Sequence, residues 1–173
     1  RLSTAATHQQ AASVAAPRAR LHHVPQSQPA RAHSGLFRLA VDLVFTLPGH
    51  GTVVTGTVFG GQVRVGDSLL HSASGQAVRV RSIHAQNQSS AQGLAGQRCA
   101  LHLAGIAKES IHRGDWIADA RLLQASERID VRLRLLPDAP RVAQWTPVHV
   151  HLGTGHHTAH IALLEGNHIE PGS

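Results

Sequence analysis

From residue 36 onward the chain alternates apolar and polar positions with a period of two. Phe37, Leu39, Val41 and Leu43 alternate with Arg38, Ala40 and Asp42, the pattern of a strand with one buried face. The β-branched run Thr52-Val53-Val54-Thr55 follows, bracketed by Gly49, Gly51 and Gly56, which predicts a short strand bounded by tight turns. Gly60-Gly61 and Gly66-Asp67 are two further turn signals, with Val63 and Val65 expected on one face and Arg64 on the other. After a turn at Ser72-Ala73-Ser74-Gly75, Val78 and Val80 alternate with Arg79 and Arg81. Residues 98–103 and 116–118 are two more strand candidates. Short strands at close spacing, with glycine turns and no convincing helix between them, predict a small antiparallel barrel, whose closure removes exposed edges.

Near residues 121–126 the pattern restarts. Ile129, Val131, Leu133 and Leu135 alternate with Asp130, Arg132 and Arg134, which predicts a strand ended by the turn Pro137-Asp138-Ala139-Pro140. Residues 147–152 are expected to run extended, Gly153-Thr154-Gly155 to turn, and 157–163 to return. Too little chain remains for this second unit to close a self-sufficient barrel, so exposed edges are expected at its end. The fold class is therefore all-β: a small antiparallel barrel followed by the first strands of a second, incomplete one. Residues 1–34, rich in Ala, Gln, Arg, His and Pro, are expected to hold the end of a helix over 2–16 and then an extended linker. The expected division is 1–34 linker, 35–122 barrel and 123–173 incomplete second barrel.

Composition narrows the function. The 173 residues carry a net charge of +6, almost wholly from arginine because Lys108 is the sole lysine, and such a surface suits phosphates. Aromatics make up only 3%, which disfavours a module that stacks bases on a sheet. The single cysteine, Cys99, cannot form an internal disulfide, and neither a membrane-length apolar run nor a signal-peptide pattern is present, so a cytoplasmic location is expected. No glycine-rich loop ends in a lysine beside Ser or Thr: Lys108 is followed by Glu109. A phosphate-cradling loop, and with it GTP hydrolysis or any other catalysis, is not expected of this chain.

The stretch Gly49-His50-Gly51-Thr52-Val53-Val54-Thr55-Gly56-Thr57, followed by Val65-Gly66-Asp67, resembles the second domain of translational GTPases related to elongation factor Tu. Phe37 to Asp42, His84-Ala85-Gln86-Asn87-Gln88, Ala95-Gly96-Gln97-Arg98 and Arg113-Gly114-Asp115-Trp116 occur in the order that group would show, and within it the sequence is most similar to the selenocysteine-specific elongation factors. The resemblance runs from about Leu36 to the end.

It implies a middle portion of a longer protein that delivers selenocysteinyl-tRNA to the ribosome. A preceding domain would bind GTP and magnesium, and a later region would read a messenger-RNA hairpin. No cofactor is expected in this chain itself, no membrane partner, and a monomer. The resemblance also implies an aminoacyl pocket. Arg98 would attract an ionised selenol, and Asp42 would meet the amino group or orient the arginine. Relatives carry a basic residue after this aspartate where this chain has Leu43, so His50 is a candidate for the displaced charge.

Arg79 with Arg81, and Arg132 with Arg134, form alternate pairs suited to an RNA backbone, against the competing reading of a solvated face. His149, His151, His156, His157 and His160 cluster across a predicted hairpin, but nothing completes a zinc set, and no metal site is assigned. The alternatives are the same barrel in a GTPase carrying another tRNA, and a free-standing basic barrel that binds protein or metal.

Overall fold

The computed structural model describes residues 34–49, 51–122 and 126–172. The expected helix over 2–16 and nearly all of the linker lie outside them. The first unit is built from β1 (Arg38–Leu47), β2 (Gly51–Gly60), β3 (Gln62–Arg64), β4 (Ser68–His71), β5 (Ala77–Ala85), β6 (Gln88–Ser90), β7 (Gln92–Leu94), β8 (Arg98–Ala104) and β9 (Trp116–Ala118). Six of these pair antiparallel in the ring β4-β9-β1-β2-β8-β5, and the β4–β5 pairing closes it. Among the described residues the helical elements are the two single 3₁₀ turns Lys108–Ser110 and Ala120–Leu122. No helix there is long and apolar enough to cross a membrane.

The barrel fills itself with branched aliphatic side chains. Leu39, Val41, Val54, Val58, Val63, Ile83, Leu101, Leu103 and Ile117 are all essentially inaccessible and form one cluster. Each such side chain contributes roughly 1.5–3 kcal/mol relative to an exposed one.

The predicted alternation in β1 fails at one point. Val41 pairs with Gly56 and Leu43 with Thr55, so Asp42 is an extra residue in β1 with no partner of its own. Such a bulge shifts the facing of everything beyond it. Leu43, expected inside, is 55% exposed, and Val44 packs on the core instead.

Gly56, expected to end a strand, lies in the middle of β2. A Cβ there would overlap the Ala40 carbonyl oxygen and lie 2.8 Å from Leu39 Cδ2, so the glycine permits close approach of β1 rather than a turn. Val65 does not share the face of Val63. β3 ends at Arg64, Gly66 takes a φ of 97°, and Val65 is left exposed in the turn. The β5–β6 connection is a two-residue turn in which Gln86 and Asn87 both adopt positive φ (52° and 68°), the geometry that matches the twist of a hairpin.

The second unit contains β10 (Val142–Ala143), β11 (Pro147–Leu152), β12 (Gly155–His160) and β13 (His168–Ile169), paired as β10–β13 and β11–β12. The predicted strand over 129–135 is not formed. Residues 127–136 make no sheet ladder among the described residues, and Ile129, Val131 and Leu133 stay exposed while Leu135 is buried. Alternation supplies a strand's side-chain pattern, but a ladder also needs a neighbouring backbone to accept its hydrogen bonds.

Among the described residues the turn 153–155 of the second unit meets the barrel. Thr154 Oγ1 donates to the Val41 carbonyl, and Arg113 Nε donates to the Thr154 carbonyl at 3.3 Å. Gly153, at a φ of 62°, sits against the Trp116 indole and the Ala40 methyl.

Candidate aminoacyl site

Asp42, Thr55 and Arg98 converge on the outer face of the barrel. They come from three adjacent strands, β1, β2 and β8, and each is placed by its strand's register. Thr55 lies between the core residue Val54 and the close-approach residue Gly56, so it faces outward. Arg98 precedes the buried Cys99 and pairs with Thr57, which also puts it outside. Asp42 follows the inward Val41 and so faces outward by the alternation of β1, and the bulge seats it beside Thr55.

The three side chains form a closed hydrogen-bonded set. Arg98 Nη1 pairs with Asp42 Oδ2, and Nη2 donates to Asp42 Oδ1 at 3.2 Å and to Thr55 Oγ1 at 3.2 Å. Thr55 Oγ1 in turn donates to Asp42 Oδ1 at 2.6 Å. This is a two-point guanidinium–carboxylate pairing, which fixes the plane of the arginine as well as its distance. The Asp42 side chain is 19% exposed and that of Arg98 60%, so the carboxylate is the anchored partner and the guanidinium faces water. A guanidinium has five N–H groups, and three serve this set. The others suit an incoming anion.

His50 lies outside the described residues. Arg79 and Arg81 are exposed on β5, but Arg79 stands opposite Ala104, at the far end of β8 from Arg98, so the structure does not bring this pair to the Asp42–Arg98 set. A second bulge falls at Arg81, between the pairs Val80–Leu103 and Ser82–His102. Arg132 and Arg134 are exposed within the segment that makes no ladder, so the strand face expected to align them is not built.

The histidine cluster is partly assembled. His151 pairs with His156 across β11–β12 with ring centroids 6.0 Å apart, whereas His157 pairs with Val150 and so points to the other face. No group of three or more His, Cys, Asp or Glu suited to hold a metal ion occurs among the described residues. Cys99 is buried against Gly93, and burial pushes its thiol above the ordinary range, which suits a packing role.

Sequence reasoning missed a second polar set. His71, fully buried, contacts Ser74 Oγ through Nδ1 at 2.8 Å and Asp115 Oδ2 through Nε2 at 2.9 Å. Asp115 Oδ2 also accepts the His112 backbone N–H at 2.7 Å. The Asp of Arg113-Gly114-Asp115 is thereby committed to a structural bond with β4. Only the histidine in an otherwise apolar strand, Leu69-Leu70-His71, could have signalled it.

The six-stranded closed barrel has counterparts among known proteins. Residues 51–118 match the family model for elongation factor Tu domain 2, which makes the barrel a translation-factor second domain. Residues 126–170 match the model for the selenocysteine-specific elongation factor, beta-barrel domain. The chain belongs to the selenocysteine-specific elongation factor family.

It is 44% identical over 154 residues to the selenocysteine-specific elongation factor of Escherichia coli (strain K12), covering 88% of this chain and 24% of that protein. With the factor of the same name from Haemophilus influenzae it is 44% identical over 131 residues, 75% of this chain and 20% of that one. The chain thus spans about a quarter or less of the length of these relatives. In fold it is similar to the apo crystal structure of translation elongation factor SelB from Methanococcus maripaludis, with a TM-score of 0.62 at 23% identity over 84% of this chain and 33% of that one.

Proposed function

We propose that this chain is the tRNA-gripping middle portion of a selenocysteine-specific elongation factor, and that Asp42 and Arg98 form the pocket that tests the attached amino acid. Residues 35–122 serve as the barrel that carries the pocket, 123–173 as the start of a further β-domain, and 1–34 as the link from a GTPase domain. The whole factor, acting in the cytoplasm as a monomer with GTP and magnesium, would bring selenocysteinyl-tRNA to the ribosome. The observation that carries this reading is the two-point pairing of Arg98 with Asp42 on the open face of the barrel, in a chain of this family.

The chemistry follows from charge. A selenol ionises well below a thiol, so at neutral pH selenocysteine presents an anion where serine presents a neutral hydroxyl. A guanidinium held in place attracts the first; at about 4 Å and an effective dielectric of about 20 the Coulomb energy of that one contact is about 4 kcal/mol before desolvation and the opposing charge of Asp42 are deducted. The 60% exposure of Arg98 lowers that figure while the site is open to water. Asp42 holds the guanidinium in its plane and offers a carboxylate to the amino acid's ammonium group. Leu43, exposed beside the bulge, supplies no second cation, so Arg98 bears the discrimination, with His50 as the additional candidate. Arg79, Arg81, Arg132 and Arg134, all exposed, are the proposed weaker contacts to the RNA backbone.

Competition between selenocysteinyl-tRNA and seryl-tRNA for the protein that carries this chain tests the reading. Arg98→Ala is expected to abolish most of the preference for selenocysteine. Undiminished preference in that variant would refute the assignment.

A further inference from the structure

Ala40 faces away from the core, between the inward residues Leu39 and Val41, and yet is fully buried. What covers it is the turn between β11 and β12. Gly153 lies against the Ala40 methyl and the Trp116 indole, and Trp116 is itself packed edge-on against Phe59 with ring centroids 5.3 Å apart. Side chains are excluded from this contact. A Cβ on Gly153 would come within 2.9 Å of the Ala40 methyl and 2.8 Å of the indole, and one on Gly155 would lie 3.1 Å from the Gly114 Cα.

The Thr154 hydroxyl of the turn reaches the backbone of one residue, Val41, whose N–H and carbonyl lie in two successive peptide groups. The Val41 carbonyl accepts from the Gly114 N–H at 3.1 Å and from Thr154 Oγ1, while the Val41 N–H donates to the Asp115 carbonyl at 2.9 Å. The Arg113 guanidinium donates to the Thr154 carbonyl and so holds the threonine from its other side. The Val41 carbonyl belongs to the peptide that joins Val41 to Asp42, the first bond of the bulge. Bulged residues lack the ladder bonds that orient their neighbours, so the plane of this peptide has to be set from outside the β1–β2 ladder. Gly114 sets it from within the barrel, and Thr154 sets it from the second unit.

We infer that Thr154 is a positioning residue for the Asp42–Arg98 pair, and that the turn 153–155 couples the placement of the second β-unit to the aminoacyl pocket. The consequence for amino-acid choice rests on the reading under Proposed function; the effect on the geometry of the pair does not. When the hydroxyl is removed, the 41–42 peptide gains freedom to tilt, the Asp42 carboxylate swings with it, and the two-point grip on Arg98 loosens. The second unit thereby acts on the pocket without touching a ligand.

The test is the rotation rate of the Arg98 guanidinium, measured by nitrogen-15 NMR on the full chain, with affinities for selenocysteinyl-tRNA and seryl-tRNA measured alongside. Thr154→Val keeps the shape and removes the donor. Rotation is expected to speed up about fivefold, the equivalent of one lost hydrogen bond, and Thr154→Ser, which keeps the hydroxyl, is expected to retain the natural rate. Should the valine variant not fold, Thr154→Ala makes the same test with a smaller side chain. Unchanged rotation in a folded Thr154→Val or Thr154→Ala variant overturns the inference, whatever Arg98→Ala does to tRNA choice. Faster rotation upholds it, and if Arg98→Ala then leaves the selenocysteine preference intact, it is the pocket reading that fails and not the positioning.

Discussion

Gly56 stands opposite Val41 at the point where β1 takes in Asp42 as an extra residue. The pairing explains both residues. The bulge drives the Ala40 carbonyl toward β2, and only a residue without a Cβ leaves room for it. Gly56→Ala is therefore expected to destabilise the barrel by about 3 kcal/mol, because the conflict is with backbone that cannot rotate away. Chemical denaturation followed by circular dichroism checks this, and a loss below about 0.5 kcal/mol, the range of a neutral surface change, would mean that the bulge relaxes at little cost.

The bond between His71 and Asp115 ties β4 to the turn before β9 inside a closed network. His71→Leu removes the donor facing a mostly buried carboxylate, leaving Asp115 Oδ2 the His112 backbone N–H and, 4.0 Å away, the His112 ring Nδ1. The expected loss is about 2 kcal/mol, the cost of a buried acceptor without its partner. The melting temperature of the variant measures it. A variant as stable as the natural protein would show that His71 packs only as a bulky side chain.

Asp119 is held well below the usual carboxylate range, at about 2, chiefly by the hydrogen bond from the Arg121 side chain and then by the Arg121 backbone N–H. A depressed value in the folded protein means stability present above the unfolded value of 3.8 and lost as pH falls toward about 2. Arg121→Ala is expected to return the Asp119 titration toward the ordinary aspartate range, read from its side-chain carbon-13 shift, and to narrow that acid window of stability.

The barrel was legible because its strands alternate cleanly and its turns are marked by glycine. Strands at 98–104 and 116–118 and the turn at Gly66-Asp67 lie where the pattern places them. What the pattern could not show were features made by tertiary contact. The bulge at Asp42 is invisible to periodicity, so Leu43 was expected inside. Gly56 has the same sequence signature whether it turns a chain or admits a neighbour. The alternation over 129–135 is genuine, but the partner strand it needs is not among the described residues. Asp42 and Arg98, 56 positions apart, were paired through family resemblance and not through spacing, and their contact is supplied by the order β1-β2-β8. Thr55, which completes the set, carried no signal beyond its place in a β-branched run.

The most direct test of charge recognition is the ratio of affinities for selenocysteinyl-tRNA and seryl-tRNA as a function of pH. Seryl-tRNA, whose hydroxyl does not titrate, corrects for any change in the protein or the RNA. The ratio is predicted to be high at neutral pH and to fall toward one as acid protonates the selenol and removes the anion that Arg98 attracts. A ratio that stays constant through the ionisation of the selenol would contradict the account, because selection would then rest on size or shape and not on charge.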